Sequence, residues 1–482
     1  MGDSAHKDDG NHHTILHRVD FPPEMTVEFV TDIEGNWDYF SSIIGRSKIL
    51  SFDDNDHDMM RLVLAPNSIF VHGGDAPDKG PDDIRIVKAL VQLKRDYPDR
   101  VFLICGNRDV NKLRLWPELE PGETGRTANI YWDPKHKTYP KYLEEKQLEE
   151  GSISTLKWML ECTMGSPTTF ETRRMELASR QQPSTDVTMI SDQDVLESFR
   201  ESVNPRGRDP WMLDYLRYGQ LMLIIGDCIF VHGGIDETCL GQVPGQPPVK
   251  GGVEAWCQAL NEFQQEMVKE FERQPTLDAN RQFGGEPLKD YGVPNSNVGC
   301  GTVIYNTFAV NGNCAVPDHR TREYLANAGI QRVFTGHQPV GDAPSVIAID
   351  GLAIFMCDTS YSDTQANKTR NPANNRGVAF SNVVLTSQTT TVTGILANGD
   401  AHGFTLSEYA ILPDTLVGEE LVDESWVKTV VVEEDGTRQL LVAKGEGWQV
   451  LTRRMSMEDV LSQLKRPFLS CYDHEYQQSL AP

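Results

Sequence analysis

The stretch FVTDIEGNW, Phe29 to Trp37, runs a short apolar strand into two carboxylates, a glycine and an asparagine. Read alone, it is either a polar turn after a strand or one side of a metal site, since ionised Asp32 and Glu34 offer only acceptor oxygens. The arrangement returns at four other places, each with candidate ligands just past an apolar run: VHGGDAPDKG (71–80, with Asp75 and Asp78), CGNRD (105–109, with Asn107 and Asp109), FVHGG (230–234, with His232) and FTGHQP (334–339, with His337). Glycines beside each let the backbone turn sharply and approach closely. Singly, these residues have ordinary structural readings: Asp75 as a helix cap near Pro81, Asn107 in a turn, His232 as a satisfied core histidine. Jointly they point to one site, because in open α/β sheets sites form where loops leave the carboxyl ends of strands.

The apolar runs are rich in β-branched residues and fall at 27–31, 68–72, 100–105, 221–225, 228–231 and 332–335. Helical patterns lie between several of them: 82–96, with Ile84, Val87, Leu90, Val91 and Lys94 marking its faces, then 253–273 and 321–328. Strands alternating with helices imply an α/β layered core. Residues 110–219 fit this alternation poorly and hold helical pieces at 141–164 and 191–202, which reads as an insertion or cap, or else a second small domain. Beyond Asp358 the character shifts to strands at 378–385 and 389–396, then a hairpin of 427–432 with 439–442 turning at Glu434-Asp435-Gly436, and a last helix at 456–464. The expected organisation is a disordered tail (1–25), a core in two parts (26–109 and 220–405) around the 110–219 insertion, and a C-terminal extension (406–482).

With 45 basic against 70 acidic residues the chain carries a net charge of −25, which opposes electrostatic binding to nucleic acid or an anionic membrane surface. Nine cysteines without a CxxC pair read as reduced thiols, so the expected location is cytoplasmic. No apolar run approaches membrane-spanning length, the first twenty residues lack the apolar stretch of a secretory signal, and the sixth residue, His6, argues against myristoylation. His6, His12, His13 and His17 are loose metal candidates on a polar tail. The sequence contains no G-x-x-x-x-G-K-S/T loop, G-x-S-x-G elbow or H-E-x-x-H pair. GCGTV (299–303) reads as a loop, with GTVIYN (301–306) entering a strand, and VTGILANGDAHGF, which contains His402, as a strand, a turn and a strand without chemistry. Cys105 and Cys228, inside apolar runs, read as core residues.

Taken in order, Asp32-Ile33-Glu34, Gly74-Asp75-Ala76-Pro77-Asp78-Lys79-Gly80, Gly106-Asn107-Arg108-Asp109, His232-Gly233-Gly234 and Gly336-His337 resemble the calcineurin-like metallophosphoesterase superfamily. Its blocks run D-x-H, G-D-x-x-D-x-G, G-N-H-D/E, a later histidine, and G-H. The resemblance spans roughly residues 27–358, and the His-Gly-Gly block and Lys79 look most like the serine/threonine phosphoprotein phosphatase and diadenosine-tetraphosphatase branches. It implies an α/β fold, a four-layer α/β/β/α sandwich with an inserted, mainly helical segment. It also implies a dinuclear site in which Asp75 bridges two divalent ions, Asp32 and the residue at Glu34 complete one, and Asn107, His232 and His337 complete the other. Two cations roughly 3.5–4 Å apart can acidify a water and clamp the attacking and leaving oxygens of an in-line displacement. The implied activity is a metal-dependent phosphatase, hydrolysing phosphate esters or anhydrides by attack of a bridging hydroxide. Its implied partner is a phosphorylated protein or nucleotide.

The chain departs from the family pattern at two positions. Glu34 stands where the family has a histidine, so the first site becomes all carboxylate, which moves preference toward Mn²⁺ or Mg²⁺ and away from Zn²⁺, with Fe also compatible. Glu34 either ligates directly or holds a metal-bound water; Gln338 and Pro339 are poor substitutes as ligands. Arg108 stands where a histidine commonly helps the leaving group. A guanidinium stays protonated and cannot act as general acid, but it can hold phosphate oxygens bidentately, with Lys79 as a second cation and Asp78 orienting Arg108. Good leaving groups, phosphoanhydrides or aryl phosphates, are then expected over alkyl esters. His72 reads as a substitute acid or as a structural strand-end histidine, and Asp358 as a crevice residue or an ordinary strand-to-turn aspartate. Two other activities fit the same residues: a nucleoside-polyphosphate hydrolase of the diadenosine-tetraphosphatase kind, and an inactive metal-binding scaffold.

Overall fold

A computed structural model describes residues 15–53, 61–123, 137–181, 186–293, 298–359, 379–407, 410–433, 435–446 and 449–466. His6, His12, His13, residues 360–363 of the turn after Asp358, Glu434 and the polar stretch from residue 467 lie outside them.

Among the described residues most strands fall into two large sheets, of ten and six strands. In the first, Thr26–Val30, Ser68–His72, Val101–Ile104 and Gly219–Gln220 run parallel in that spatial order. Phe380–Leu385 pairs antiparallel with the other edge of Thr26–Val30, and Thr389–Ile395, Ala401–Ser407, Trp426–Val432, Arg438–Glu446 and Gln449–Met455 continue outward as an antiparallel meander. In the second, Cys228–Val231, Arg332–Thr335 and Leu352–Met356 are mutually parallel, flanked by antiparallel Met222–Ile225 and Ser345–Ile349.

The apolar runs are continuous because these strands are buried on both faces. Phe29, Ile69, Val71, Phe102, Ile104, Leu223, Ile225, Phe230, Phe334 and Phe355 point into one core, which lies between the sheets. Their neighbours Val30, Phe70, Val101, Leu103, Met222, Ile224, Ile229, Val231, Val333 and Ile354 point outward into a second core under the helices. Trp37–Ile44, Asp83–Asp96 and Trp211–Tyr218 lie on the ten-stranded sheet, and Gly252–Arg273 on the six-stranded one. The result is an α/β/β/α sandwich. At its centre Phe230 and Phe334 stack at 5.1 Å and 17°, Phe334 and Phe355 at 4.8 Å and 8°, and Phe29 packs 5.5 Å from Phe230. These rings sit two or three residues before His232, His337, Asp358 and Asp32, so they fix the strand ends that carry the site.

Several expectations meet a different local structure. Arg18–Val19, placed within the tail by sequence, pairs in parallel with Ile224 and Ile225, because Leu16, Val19 and Phe21 pack onto the inter-sheet core. The expected boundary at 405/406 falls inside the strand Ala401–Ser407, and the strands after it extend the same sheet. GTVIYN does not enter a strand; the Thr302 hydroxyl accepts from the Ile304 amide at 3.0 Å and donates to the Tyr291 carbonyl at 2.5 Å, closing a turn. Between Tyr139 and Tyr218 the described residues form the helices Tyr139–Lys146, Ser152–Trp158, Thr169–Gln181, Asp192–Glu201 and Trp211–Tyr218. Cys105, Cys228, Cys239, Cys257 and Cys357 are buried free thiols, and no described helix is long and apolar enough to cross a membrane.

Candidate metal centre and active site

All five motif loops leave the carboxyl ends of parallel strands and meet at one edge of the sandwich. Backbone hydrogen bonds knit them: Asp32 N to Gly74 O at 3.0 Å, Glu34 N to Asp75 O at 3.0 Å, Gly35 N to Ala76 O at 2.9 Å, and Gly336 N to His232 O at 2.8 Å. Asp109 acts as a clamp, accepting from the amides of Gly106 at 2.7 Å, Asp75 at 2.9 Å and Ala76 at 3.1 Å. Gly106 is required by close approach, since a Cβ there would lie 2.7 Å from Asp75 N and 2.8 Å from His232 Cε1. Asp32 (φ 51°), Glu34 (φ 47°), Asp75 (φ 55°) and His337 (φ 70°) all adopt left-handed backbone, which non-glycine residues rarely take and which concentrates at functional sites.

Asp75, His232 and His337 present ligand atoms within 4.8 Å of one another. Asn107 joins them, its Oδ1 lying 3.1 Å from His232 Nε2 and 2.9 Å from His337 Nδ1. His232 Nδ1 sits 2.9 Å from the Gly73 carbonyl, which turns Nε2 toward Asp75 Oδ1 at 3.3 Å. Asp32 stands beside this group: both of its oxygens accept from the His337 amide at 3.1 Å, and Oδ2 accepts from Thr31 Oγ1 at 2.6 Å. The structure does not bring Glu34 into the group of three. Its two oxygens accept from Lys79 Nζ at 3.2 Å each.

Burial disfavours a charge on His232, yet the Asp75 and Asp32 carboxylates outweigh it and raise the ring to about 10. Burial also raises Asp75, but His232 and Arg108 more than compensate, holding this carboxyl well below its usual range. Asp32 is driven well above its range by burial and then by the charges of Asp358 and Asp75. His337 is pushed down to about 3 by burial and by His232. Asp109 rises to about 7 through burial and the nearby Asp75. Three buried carboxylates, Asp32, Asp75 and Asp358, thus crowd around imidazole and amide donors. Such a mixed O/N donor set with excess negative charge fits divalent cations.

Arg108 lies at the rim, 21% exposed at its side chain. Its Nη1 contacts Asp78 Oδ2 at 3.1 Å and donates to the Met164 carbonyl. Asp78 is fully buried, and it also accepts from Lys112 Nζ at 3.0 Å and Ser166 Oγ at 2.6 Å. Thr169 Oγ1 donates to the Asp78 carbonyl at 2.5 Å. The helical segment is therefore wired into the GDAPDKG loop through Ser166 and Thr169 and into the CGNRD loop through Met164, none of which carries a sequence signal. His72 ends its strand with Nδ1 2.7 Å from the Tyr215 hydroxyl, and burial lowers it to about 3, which disfavours the charged form a general acid needs. Asp358 is buried and close enough to Asp32 to raise it. His402 contacts Ser381 Oγ at 3.1 Å and Thr429 Oγ1 at 3.0 Å, far along the sheet in sequence from any motif loop.

The chain resembles the calcineurin-like metallophosphoesterase superfamily in the order of its motifs and in its α/β/β/α architecture. No family model matches it. Over 91 residues it is 32% identical to symmetrical bis(5'-nucleosyl)-tetraphosphatases of Buchnera aphidicola subsp. Acyrthosiphon pisum, strains 5A and APS; the match covers 19% of this chain and 27% of each relative. The chain thus spans about a quarter of the length of these curated relatives. Among solved structures, a cold-active protein-tyrosine phosphatase of a psychrophilic Shewanella overlaps at TM-score 0.40 and 12% identity, covering 81% of this chain and 82% of the other. A protein serine/threonine phosphatase of Saccharomyces cerevisiae overlaps at TM-score 0.34 and 11% identity, covering 86% of each. These overlaps are loose, and the fold rests on the strand order described above.

Proposed function

We propose that the chain is a metal-dependent phosphatase of phosphate esters or anhydrides. The observation that carries this reading is the convergence of Asp75, Asn107, His232 and His337 on one point beside buried Asp32. In it Asn107, His232, His337 and Asp75 would hold one divalent cation, while Asp32 and Asp75 would hold a second, joined by Glu34 if that carboxylate turns from Lys79; Mn²⁺ would suit the carboxylate-rich side best. Cations held there would supply an acidified water and neutralise phosphoryl charge. The chain's own residues do the rest. Asp78, pinned by Lys112 and Ser166, aims the Arg108 guanidinium at the crevice, where it can clamp two phosphate oxygens. Lys79, held by Glu34, adds a second positive charge at the same rim. The buried strand ends keep bulk water from screening these charges.

The short likeness to tetraphosphatases favours a second reading, hydrolysis of nucleoside polyphosphates. Turnover of p-nitrophenyl phosphate, a dinucleoside tetraphosphate and a phosphoserine peptide, measured with added Mn²⁺, separates these cases. With Arg108 unable to donate a proton, the aryl ester and the anhydride should turn over faster than phosphoserine. Fastest turnover of phosphoserine would contradict the reading.

A further inference from the structure

We propose that Tyr305 is a substrate-contacting residue whose hydroxyl donates a hydrogen bond to a phosphoryl oxygen beside Arg108; this rests on the phosphatase reading above. The Tyr305 ring lies edge-on to His337, centroids 4.3 Å apart at 69°, and His337 is in turn 5.3 Å from the His232 ring. The hydroxyl is also within electrostatic reach of the Arg108 guanidinium. The half-buried Tyr305 thus neighbours both His337 and Arg108.

The turn that presents Tyr305 is built into the site. Gly233 N donates to Val303 O at 2.9 Å, and a Cβ at Gly233 would lie 2.5 Å from the carbonyl oxygens of both Ile304 and Asn306. The His-Gly-Gly block thus allows residues 303–306 to lie directly against the end of the strand that carries His232. Thr302 fixes the other side through its bonds to Tyr291 O and Ile304 N. A phenol is an O–H donor, and a hydrogen bond to a charged group in a dry site contributes more than one between neutral groups. Tyr305 supplies a neutral donor to complement the fixed positive charge of Arg108.

The full chain loaded with Mn²⁺ provides the test, as wild type and as Tyr305→Phe, which keeps the ring against His337. Three quantities are read: kcat/KM on p-nitrophenyl phosphate, the inhibition constant of inorganic phosphate, and bound metal per chain. The expected result is a fall in kcat/KM of about tenfold to a hundredfold with a parallel weakening of phosphate inhibition, at unchanged metal content and unfolding midpoint. Values within twofold of wild type for both kcat/KM and phosphate inhibition would overturn the assignment. So would a loss of activity that tracks loss of metal, which would make the ring a prop for His337. A wild-type chain that neither turns over the ester nor binds phosphate overturns the phosphatase reading itself, and the Tyr305 assignment with it.

Discussion

At the residue scale, the question is what Glu34 does. Sequence places it in the metal set because it fills the position of a ligand histidine, whereas its carboxylate is paired with Lys79 at 3.2 Å, with both side chains largely buried. Such a pair is costly to break from one side, since it strands the remaining charge. Exchange of Glu34 for His should retain metal and move preference toward Zn²⁺ if the position ligates. Metal analysis after loading from equimolar Mn²⁺ and Zn²⁺ reads this, and an unmoved preference would leave Glu34 as the partner of Lys79 alone. The ligand candidates were legible in sequence because each is a polar residue just past an apolar run, with a glycine close by. Glu34's partner was not, because it depends on which way two long side chains turn, and sequence spacing does not encode that. The same limit hid Tyr305 and Ser166: Ser166 reaches Asp78 across 88 positions of chain, with no local pattern at either end.

At the scale of elements, the strands were readable and the loops between them less so. The parallel strands Ser68–His72, Cys228–Val231 and Arg332–Thr335 coincide with their apolar runs, since burial on both faces confines polar residues to the strand ends. The helical segment after residue 110 was legible in part, as a break in the alternation with helical pieces at 141–164 and 191–202, the second of which coincides with Asp192–Glu201. Helices such as Thr169–Gln181 bury charged residues, among them Arg173 and Glu176, and so lack a clean apolar stripe. The turn at 302–306 resembles a strand entry in sequence because Val303 and Ile304 are β-branched; they are buried under Gly233 rather than paired in a sheet. Its packing predicts that Gly233→Ala forces this turn away from the strand end. The expected cost is about 1–3 kcal/mol in urea unfolding, with a parallel loss of phosphatase activity. A variant with wild-type stability and activity would show that the turn yields without consequence.

At the scale of the whole molecule, the helical segment and the core meet through buried charge. Arg173 contacts Asp83 at 3.0 Å and Glu176 at 3.5 Å, and all three side chains are 2% exposed. One guanidinium serves two carboxylates, so burial raises both acids, Glu176 from 4.5 to about 7, despite the opposing pull of Arg173. Across that interval the folded chain keeps a proton that the unfolded chain has released, so stability falls as pH rises through it. Glu176→Gln should flatten that slope, removing roughly 2–3 kcal/mol of the stability difference between pH 4.5 and pH 7. Urea midpoints at both ends of the window measure this in wild type and variant, and equal slopes would place the proton elsewhere. The fold and the docking of this segment serve one end, a buried cluster of acceptors that needs positive charge, with Asp75 at its centre. Metal content together with p-nitrophenyl phosphate hydrolysis, for wild type and Asp75→Asn under Mn²⁺, Mg²⁺, Fe²⁺ and Zn²⁺ in turn, tests that claim most directly. Two ions per wild-type chain with turnover, and a variant that loses metal and at least about a hundredfold in kcat, is the predicted result. Tight metal binding by the wild type with no turnover under any of the four ions would contradict it and make the chain a metal-binding scaffold.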